Sequence, residues 1–136
     1  MASSTESPDY AERLRARQHV WWKRILPVQL PYQINLKRQR LGRTLDIGCG
    51  LGRNLPALSP DSLGVDHNPR SIAIARRAGL RAMTDAEFFT SDEARLVSFD
   101  GLLLAHVLEH MDEVQGRQLL ETYLPYLRPG GTAFIV

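Results

Sequence analysis

The chain has 136 residues, of which 43% are hydrophobic, and its formal net charge is +2. This length and composition suit one domain with its own core, and no apolar run approaches the roughly 18 residues of a membrane span. The single cysteine, Cys49, excludes a disulfide framework and a paired-cysteine metal site. It also predicts a reducing, cytoplasmic setting.

Charge is unevenly distributed along the chain. Residues 1–43 contain nine Lys or Arg and three acidic residues, whereas the remainder contains eight basic and twelve acidic residues. We interpret residues 1–8 as a disordered tail and residues 9–43 as a basic helical cap, with helices from Asp9 to Leu26 and from about Gln33 to Arg40. Such an arm could meet an anionic substrate, a nucleic acid or a membrane surface, or be a solvated helix face.

From residue 44 onward, strand and helix signals alternate, which predicts an α/β fold with a parallel sheet of about five strands. Ligands of such sheets bind at the carboxyl ends of the strands. The predicted strands are Thr44–Ile47, Leu63–Val65, Leu80–Met83, Phe99–Ala105 and Thr132–Val136. The predicted helices are 51–58, Pro69–Ala78, a brief one at Ser91–Glu93, and Asp112–Leu127. In the second of these, Ile72, Ile74 and Ala75 are predicted to face inward. Residues 85–89 are a predicted loop and residues 128–131 a predicted turn.

The first predicted strand carries an acidic residue, Asp46, and runs into glycines at positions 48, 50 and 52. This pattern predicts a nucleotide-type cofactor site, because glycine lets the backbone approach a ligand closely. The dinucleotide fingerprint GxGxxG is not completed, since its third glycine position is Arg53. Asp66, at the end of the second strand, could accept ribose hydroxyls from either class of cofactor. No GxxxxGK[ST] segment is present, which argues against a P-loop site.

Four segments together resemble class I S-adenosylmethionine-dependent methyltransferases, in the order found in that family. They are LDIGCGLG at 45–52, LGVDHNP at 63–69, FDGLLLAHVLEH at 99–110 and LPYLRPGG at 124–131. The resemblance implies a Rossmann-like sheet of order 3-2-1-4-5 flanked by helices, with an N-terminal helical extension. It further implies S-adenosyl-L-methionine as cofactor and methyl transfer to a small- or medium-sized acceptor by in-line displacement.

The same resemblance implies roles for individual residues. The glycines would pass beneath the methionine part of the cofactor, while Asp46 would hold the loop and help to bind the methionine amino group. Asp66 would take the ribose hydroxyls with His67 near the adenine, and Asp85 would accept from the adenine amine. The implied cofactor-binding set is Asp46, Gly48, Cys49, Gly50, Gly52, Asp66, His67, Asp85, Ala86 and Ala105.

The segment His106-Val-Leu-Glu109-His110 matches a zinc-protease pattern in which both histidines lie on one helix. Because the segment begins at the end of a predicted strand, we predict no metal. Instead, His106 and His110 are the candidate catalytic residues, which could orient the methyl acceptor or take its proton. Structural packing is the alternative interpretation for both.

Family members normally have further strands after the fifth, so we expect the domain over 44–136 to be incomplete, with a missing segment or a partner covering the strand-five edge. Three other functions stay open. The first is an inactive cofactor-binding or scaffold module, and the second is an RNA or nucleic-acid methyltransferase using the basic arm. The absence of an Asn/Asp-Pro-Pro-Tyr/Phe segment disfavours the second. The third is a nicotinamide oxidoreductase.

Overall fold

Five parallel strands form the centre of the structure, a computed structural model that describes residues 35–136. The strands are β1 Thr44–Ile47, β2 Leu63–Asp66, β3 Ala82–Thr84, β4 Phe99–Leu104 and β5 Leu127–Ile135. Their order is β3-β2-β1-β4-β5, and every neighbouring pair is parallel. The predicted α/β fold and its strand order are therefore confirmed.

The predicted N-terminal elements fall largely outside the part of the chain that the structure describes. The tail over residues 1–8, the helix from Asp9 to Leu26 and most of the basic cap lie there. Residues 35–38 are helical, within the range of the predicted basic helix. Leu36 and Leu41 are buried, so the hydrophobic core draws on residues that precede β1.

The central strands are buried because they are covered on both faces. All four residues of β1 are buried, and so are most residues of β4. Continuous apolar runs are typical of such doubly covered parallel strands. The core contains Leu45, Phe88, Phe99, Leu102 and Tyr123, among others. Asp46 is the one charged residue of β1, and it too is buried.

Three α-helices and three short 3₁₀ helices connect the strands. They are α1 Pro69–Arg77, α2 Asp85–Phe89 and α3 Glu113–Tyr123, with 3₁₀ helices Leu55–Ala57, Leu108–His110 and Leu124–Tyr126. The start of α1 follows from its sequence, because the Asn68 side chain accepts from the N–H groups of Arg70 and Ser71. No helix within residues 35–136 is long and apolar enough to cross a bilayer.

Several predicted elements differ from the structure, each for a local reason. The helix predicted over 51–58 is wrong: turns lead into the 3₁₀ helix Leu55–Ala57, since Gly52 and Pro56 disfavour an α-helix. The loop predicted over 85–89 is wrong too, because Thr84 caps α2 by accepting from Glu87 N–H and Phe88 is fully buried. Burial of that ring outweighs the weak propensity of a five-residue helix.

The remaining differences concern the ends of helices and a turn. Residues 91–93 form a turn rather than a helix, and α3 ends at Tyr123 before the 3₁₀ helix that contains Pro125. Ile74 on α1 is 49% exposed, so the prediction that it faces inward is wrong. The predicted turn over 128–131 belongs to β5, as an irregular stretch opposite Asp100.

Asp100 explains why β5 holds this irregular stretch. Its Oδ1 accepts from Arg128 Nε at 2.5 Å, and its Oδ2 accepts from the Arg43 backbone N–H at 2.9 Å. The Arg43 N–H and then the Arg128 guanidinium hold the pKa of Asp100 below its ordinary value. Asp100 thus links β5 to the start of β1 at the edge of the sheet opposite the carboxyl ends of the strands.

The capping box of α3 gives a stability prediction. Asp112 accepts from the Gln115 N–H at 2.8 Å, and the Gln115 side chain accepts from the Asp112 N–H at 3.2 Å. We expect Asp112→Ala to lower the free energy of unfolding by about 1 kcal/mol, because a backbone donor loses its partner. Asp112→Asn, which keeps an acceptor, should lose much less. Urea unfolding of both variants measures the difference, and equal losses would contradict the capping role.

Candidate active site

The glycine-rich loop after β1 is fastened to the end of β2. The Cys49 N–H donates to Val65 O at 2.9 Å. The Asp66 carboxylate accepts from the Gly50 N–H at 2.9 Å and from the Asn68 N–H at 2.8 Å. Asp66 therefore holds the loop, a role that the sequence analysis gave to Asp46. Because Asp66 uses one lone pair on each oxygen for these bonds, acceptor capacity remains for hydroxyl donors.

Asp46 is a buried carboxyl group that has no hydrogen-bond partner among residues 35–136. It is 1% exposed, and neither of its oxygens accepts a hydrogen bond from the described residues. Burial, followed by the negative charge of Asp66, raises its pKa from 3.8 to about 7. A buried polar group left in this state costs free energy unless a ligand supplies a donor or a cation.

The three glycines of the loop do different things. A Cβ on Gly48 would lie 2.7 Å from Val107 Cγ2, and a Cβ on Gly52 would lie 2.7 Å from Leu80 Cδ1. These two glycines allow close packing of neighbouring segments. Gly50 has a φ of +55° and a Cβ there would meet nothing within 4 Å. Gly50 therefore borders open space beside Asp66, where a ligand can approach the backbone.

A matched pair of alanine substitutions separates ligand exclusion from backbone strain. Gly79, just after α1, resembles Gly50 in having a φ of +79° and open space around its Cβ position. We expect Gly50→Ala and Gly79→Ala each to cost about 1–2 kcal/mol of stability, because alanine is strained in this region. Only Gly50→Ala should also weaken cofactor binding, by about tenfold or more. Calorimetric titration checks this, and equal affinities in the two variants would contradict the ligand site at Gly50.

Cys49 lines the loop as an inert thiol. Its side chain packs against β2, since a Cβ on Gly64 would lie 2.7 Å from Cys49 Sγ. Burial, then the charges of Asp46 and Asp66, raise the pKa of the thiol to about 12. Because a thiolate is the reactive form of cysteine, this thiol is a poor nucleophile at neutral pH. Its contribution to the site is packing.

The turn after β4 lies directly on the glycine loop through the contact between Val107 and Gly48. Ala105 is half-buried, and His106 has a φ of +57° while its N–H donates to Val136 O at 2.9 Å. A left-handed conformation is strained for histidine and persists where its surroundings hold it. Val107 was missed by the sequence analysis, because no spacing rule indicates which side chain covers a glycine.

The two candidate catalytic histidines are brought together around Glu109. Its Oε1 lies 3.7 Å from His106 Nδ1 and 3.4 Å from His110 Nε2. The histidine side chains are 66% and 77% exposed, so a core-packing role is not supported for either. His106 precedes the 3₁₀ helix Leu108–His110, and no metal-binding group of three His, Cys, Asp or Glu exists within residues 35–136. The zinc-protease alternative therefore lacks its helix.

The predicted adenine-side residues follow the ends of β2 and β3. Asp66 is paired with Thr84 in the sheet, which places His67 and Asp85 on adjacent strand ends. His67 is exposed, with its Nδ1 3.6 Å from Asp66 Oδ1. Asp85 begins α2 and accepts the Ala86 N–H at 2.8 Å. Burial, and then the negative charge of Asp85, raise the pKa of Tyr123 to about 12.

Comparisons with known proteins identify the family and the fold of this domain. A family model described as a methyltransferase domain matches residues 45–133. PKMT2 from Rickettsia typhi in complex with AdoHcy is 24% identical with a TM-score of 0.54, over 71% of this chain and 21% of that one. The PH0226 protein from Pyrococcus horikoshii is 18% identical with a TM-score of 0.57, over 97% of this chain and 59% of that one.

A third solved structure is a SAM-dependent methyltransferase from Thermotoga maritima, described as a possible histamine N-methyltransferase. It is 24% identical with a TM-score of 0.58, over 88% of this chain and 57% of that one. The chain thus spans between about a fifth and three fifths of the length of these structures. None of the curated proteins matches it. The match over residues 45–133, together with the sheet order, shows that this chain belongs to the methyltransferase domain family and has the class I, S-adenosylmethionine-dependent methyltransferase fold.

Proposed function

We propose that this chain binds S-adenosyl-L-methionine at the carboxyl edge of its sheet and transfers the methyl group to a small- or medium-sized acceptor. The acceptor would approach from the turn after β4. A cytoplasmic setting stays a prediction from the single cysteine.

The observation that carries this proposal is the buried carboxyl group of Asp46, which has no partner among the described residues. A cofactor with an ammonium group would supply the charge and the donors that Asp46 lacks. A phosphate group would not meet this need, because it brings neither a positive charge nor a hydrogen-bond donor to Asp46. The carboxyl groups of Asp46 and Asp66 therefore fit a cofactor with a positive charge better than a dinucleotide.

The other residues fit the remaining parts of such a cofactor. Asp66 would accept ribose hydroxyls with the lone pairs that Gly50 and Asn68 leave free. Gly50 leaves the backbone open to the ligand, and Asp85 and His67 would border the adenine. When bound, S-adenosylmethionine supplies a methyl group already activated by its sulfonium. The protein then has to align the acceptor and exclude water.

The turn after β4 would contribute the polar groups on the acceptor side. His106 and His110 are exposed beside Glu109, and Val107 fixes this turn against the loop. An imidazole in this position can orient an acceptor or take the proton that an amine or hydroxyl loses on methylation. Glu109 would attract a cationic acceptor. Small amines are therefore the first acceptor class to test, in line with the description of the Thermotoga neighbour.

Calorimetric titration with S-adenosylmethionine, S-adenosylhomocysteine and NADH tests the cofactor. We expect the two adenosyl ligands to bind and NADH not to bind, whereas binding of NADH alone would overturn the proposal. Transfer of labelled methyl into small amines and a metabolite pool then tests the reaction. Cofactor binding without transfer would favour a binding or scaffold module. Labelling of RNA alone would favour the nucleic-acid alternative, which has no specific observation among the described residues.

A further inference from the structure

The burial of Asp46 also predicts that its protonation changes when the cofactor binds, an inference that rests on the proposed function. Its carboxyl group is 1% exposed and hydrogen-bonded to nothing described, so the protein without ligand favours the uncharged, protonated form. A ligand ammonium placed beside it favours the opposite form, because opposite charges in a buried site attract strongly. The two states of the site therefore differ in their number of bound protons.

We propose that cofactor binding expels a proton from the Asp46 carboxyl group into solvent, so that the chain binds its cofactor more tightly at alkaline than at acidic pH. The O–H bond of the carboxyl group breaks, the proton passes to the buffer, and the carboxylate pairs with the ligand ammonium. The site would thereby report the pH of its surroundings through cofactor occupancy.

The charged and titratable groups around Asp46 support this direction. From β2, the Asp66 carboxylate faces it and opposes a second negative charge, and from the loop, the Cys49 thiol stays neutral. On β4 its register partner is the apolar Leu103, and the acidic Asp100 is engaged by Arg43 and Arg128 at the opposite edge. His67 touches Asp66 rather than Asp46. No cation among residues 35–136 forms an ion pair with Asp46, and a ligand ammonium would supply one.

The expected size of the effect follows from the pKa of Asp46, which is about 7 without ligand. Binding should release about 0.9 proton at pH 6 and about 0.1 proton at pH 8, if Asp46 is fully ionised in the complex. The dissociation constant should correspondingly be about tenfold weaker at pH 6 than at pH 8. Binding weakens as the pH falls, because Asp46 holds its proton more strongly in the free protein than in the complex.

The test is calorimetric titration with S-adenosylhomocysteine in buffers of different ionisation enthalpy at pH 6 and pH 8. The dependence of the observed heat on buffer gives the number of protons released. Asp100→Asn changes a carboxyl group at the opposite edge of the sheet, outside the proposed site, and should keep the proton release at pH 6. Asp46→Asn should abolish it.

A second measurement guards against loss of binding in Asp46→Asn. Infrared difference spectra of the wild-type protein at pH 6 should lose a protonated-carboxyl band when the ligand is added, and the ligand-free Asp46→Asn protein should lack that band. Binding without proton release or pH dependence would overturn this inference and leave the proposed function standing. Proton release that persists in an Asp46→Asn protein that still binds the ligand would also overturn it. No binding at any pH would instead overturn the proposed function.

Discussion

Asp46→Asn should make the ligand-free protein more stable than the wild type above pH 7, although it removes a residue at the centre of the site. In the wild type, the folded chain holds the Asp46 proton up to a pKa of about 7, while the ordinary value is 3.8. The folded state therefore binds the proton more strongly than the unfolded state. The contribution of Asp46 to the free energy of unfolding therefore falls as pH rises from about 4 to 7, and it stays reduced above pH 7.

Asparagine has nearly the same shape and does not titrate, so it escapes this loss. We expect Asp46→Asn to exceed the wild type by about 1–3 kcal/mol at pH 8, and the two to be similar near pH 4. Urea unfolding of the ligand-free proteins at both pH values measures the difference. The control is Asp92→Asn, an exposed change that should have little effect at either pH.

The same substitution should weaken binding of S-adenosylhomocysteine by about 100-fold or more, because the amide carries no charge to attract the ligand ammonium. Gain of stability and loss of affinity in one variant would mark Asp46 as a residue kept for binding at the cost of stability. If the difference in stability between Asp46→Asn and the wild type did not change with pH, the pKa of Asp46 would not be raised in the folded protein.

The topology of the domain could be predicted because its strands are short apolar runs bounded by turn residues. β1 was predicted at its exact bounds, and β2 and β4 to within one residue. Elements that depend on distant contacts could not be predicted in this way. α2 forms because Phe88 reaches the core, and residues 128–131 join β5 because Asp100 binds Arg128. Neither contact leaves a pattern in the local sequence.

In the site, too, the types of residue could be predicted from the sequence, whereas their hydrogen-bond partners could not. Asp46 and Asp66 were predicted to be acidic groups at neighbouring strand ends, and the structure places them there. The loop-holding role was expected of Asp46, whereas in the structure it is Asp66 that accepts from the Gly50 N–H. Which carboxylate meets the Gly50 N–H depends on the path of the loop after β1, and spacing along the chain does not encode that path. The segment that holds Glu109 and both histidines was visible in the sequence, and the structure adds the distances between their side chains.

Asp66 holds the glycine loop in place, and under the proposed function its side chain would also bind the ligand. Asp66→Ala removes two hydrogen bonds, from the N–H groups of Gly50 and Asn68, and also the acceptor for ribose hydroxyls. Hydrogen bonds to a charged group contribute about 1.5–3 kcal/mol each. We therefore expect the affinity for S-adenosylhomocysteine to fall by about 10²–10⁴-fold. Asp66→Asn, which keeps one acceptor oxygen, should lose less.

The matched control is Asp100→Ala, because Asp100 also accepts a backbone N–H and binds a second group, but at the opposite edge of the sheet. It should lower stability and leave affinity unchanged, which separates general destabilisation from loss of the site. Since the charge of Asp66 contributes to the raised pKa of Asp46, Asp66→Asn should also lower that pKa. The pH below which binding releases a proton should then shift downward. An unshifted proton release in Asp66→Asn would show that the two carboxyl groups do not sense each other.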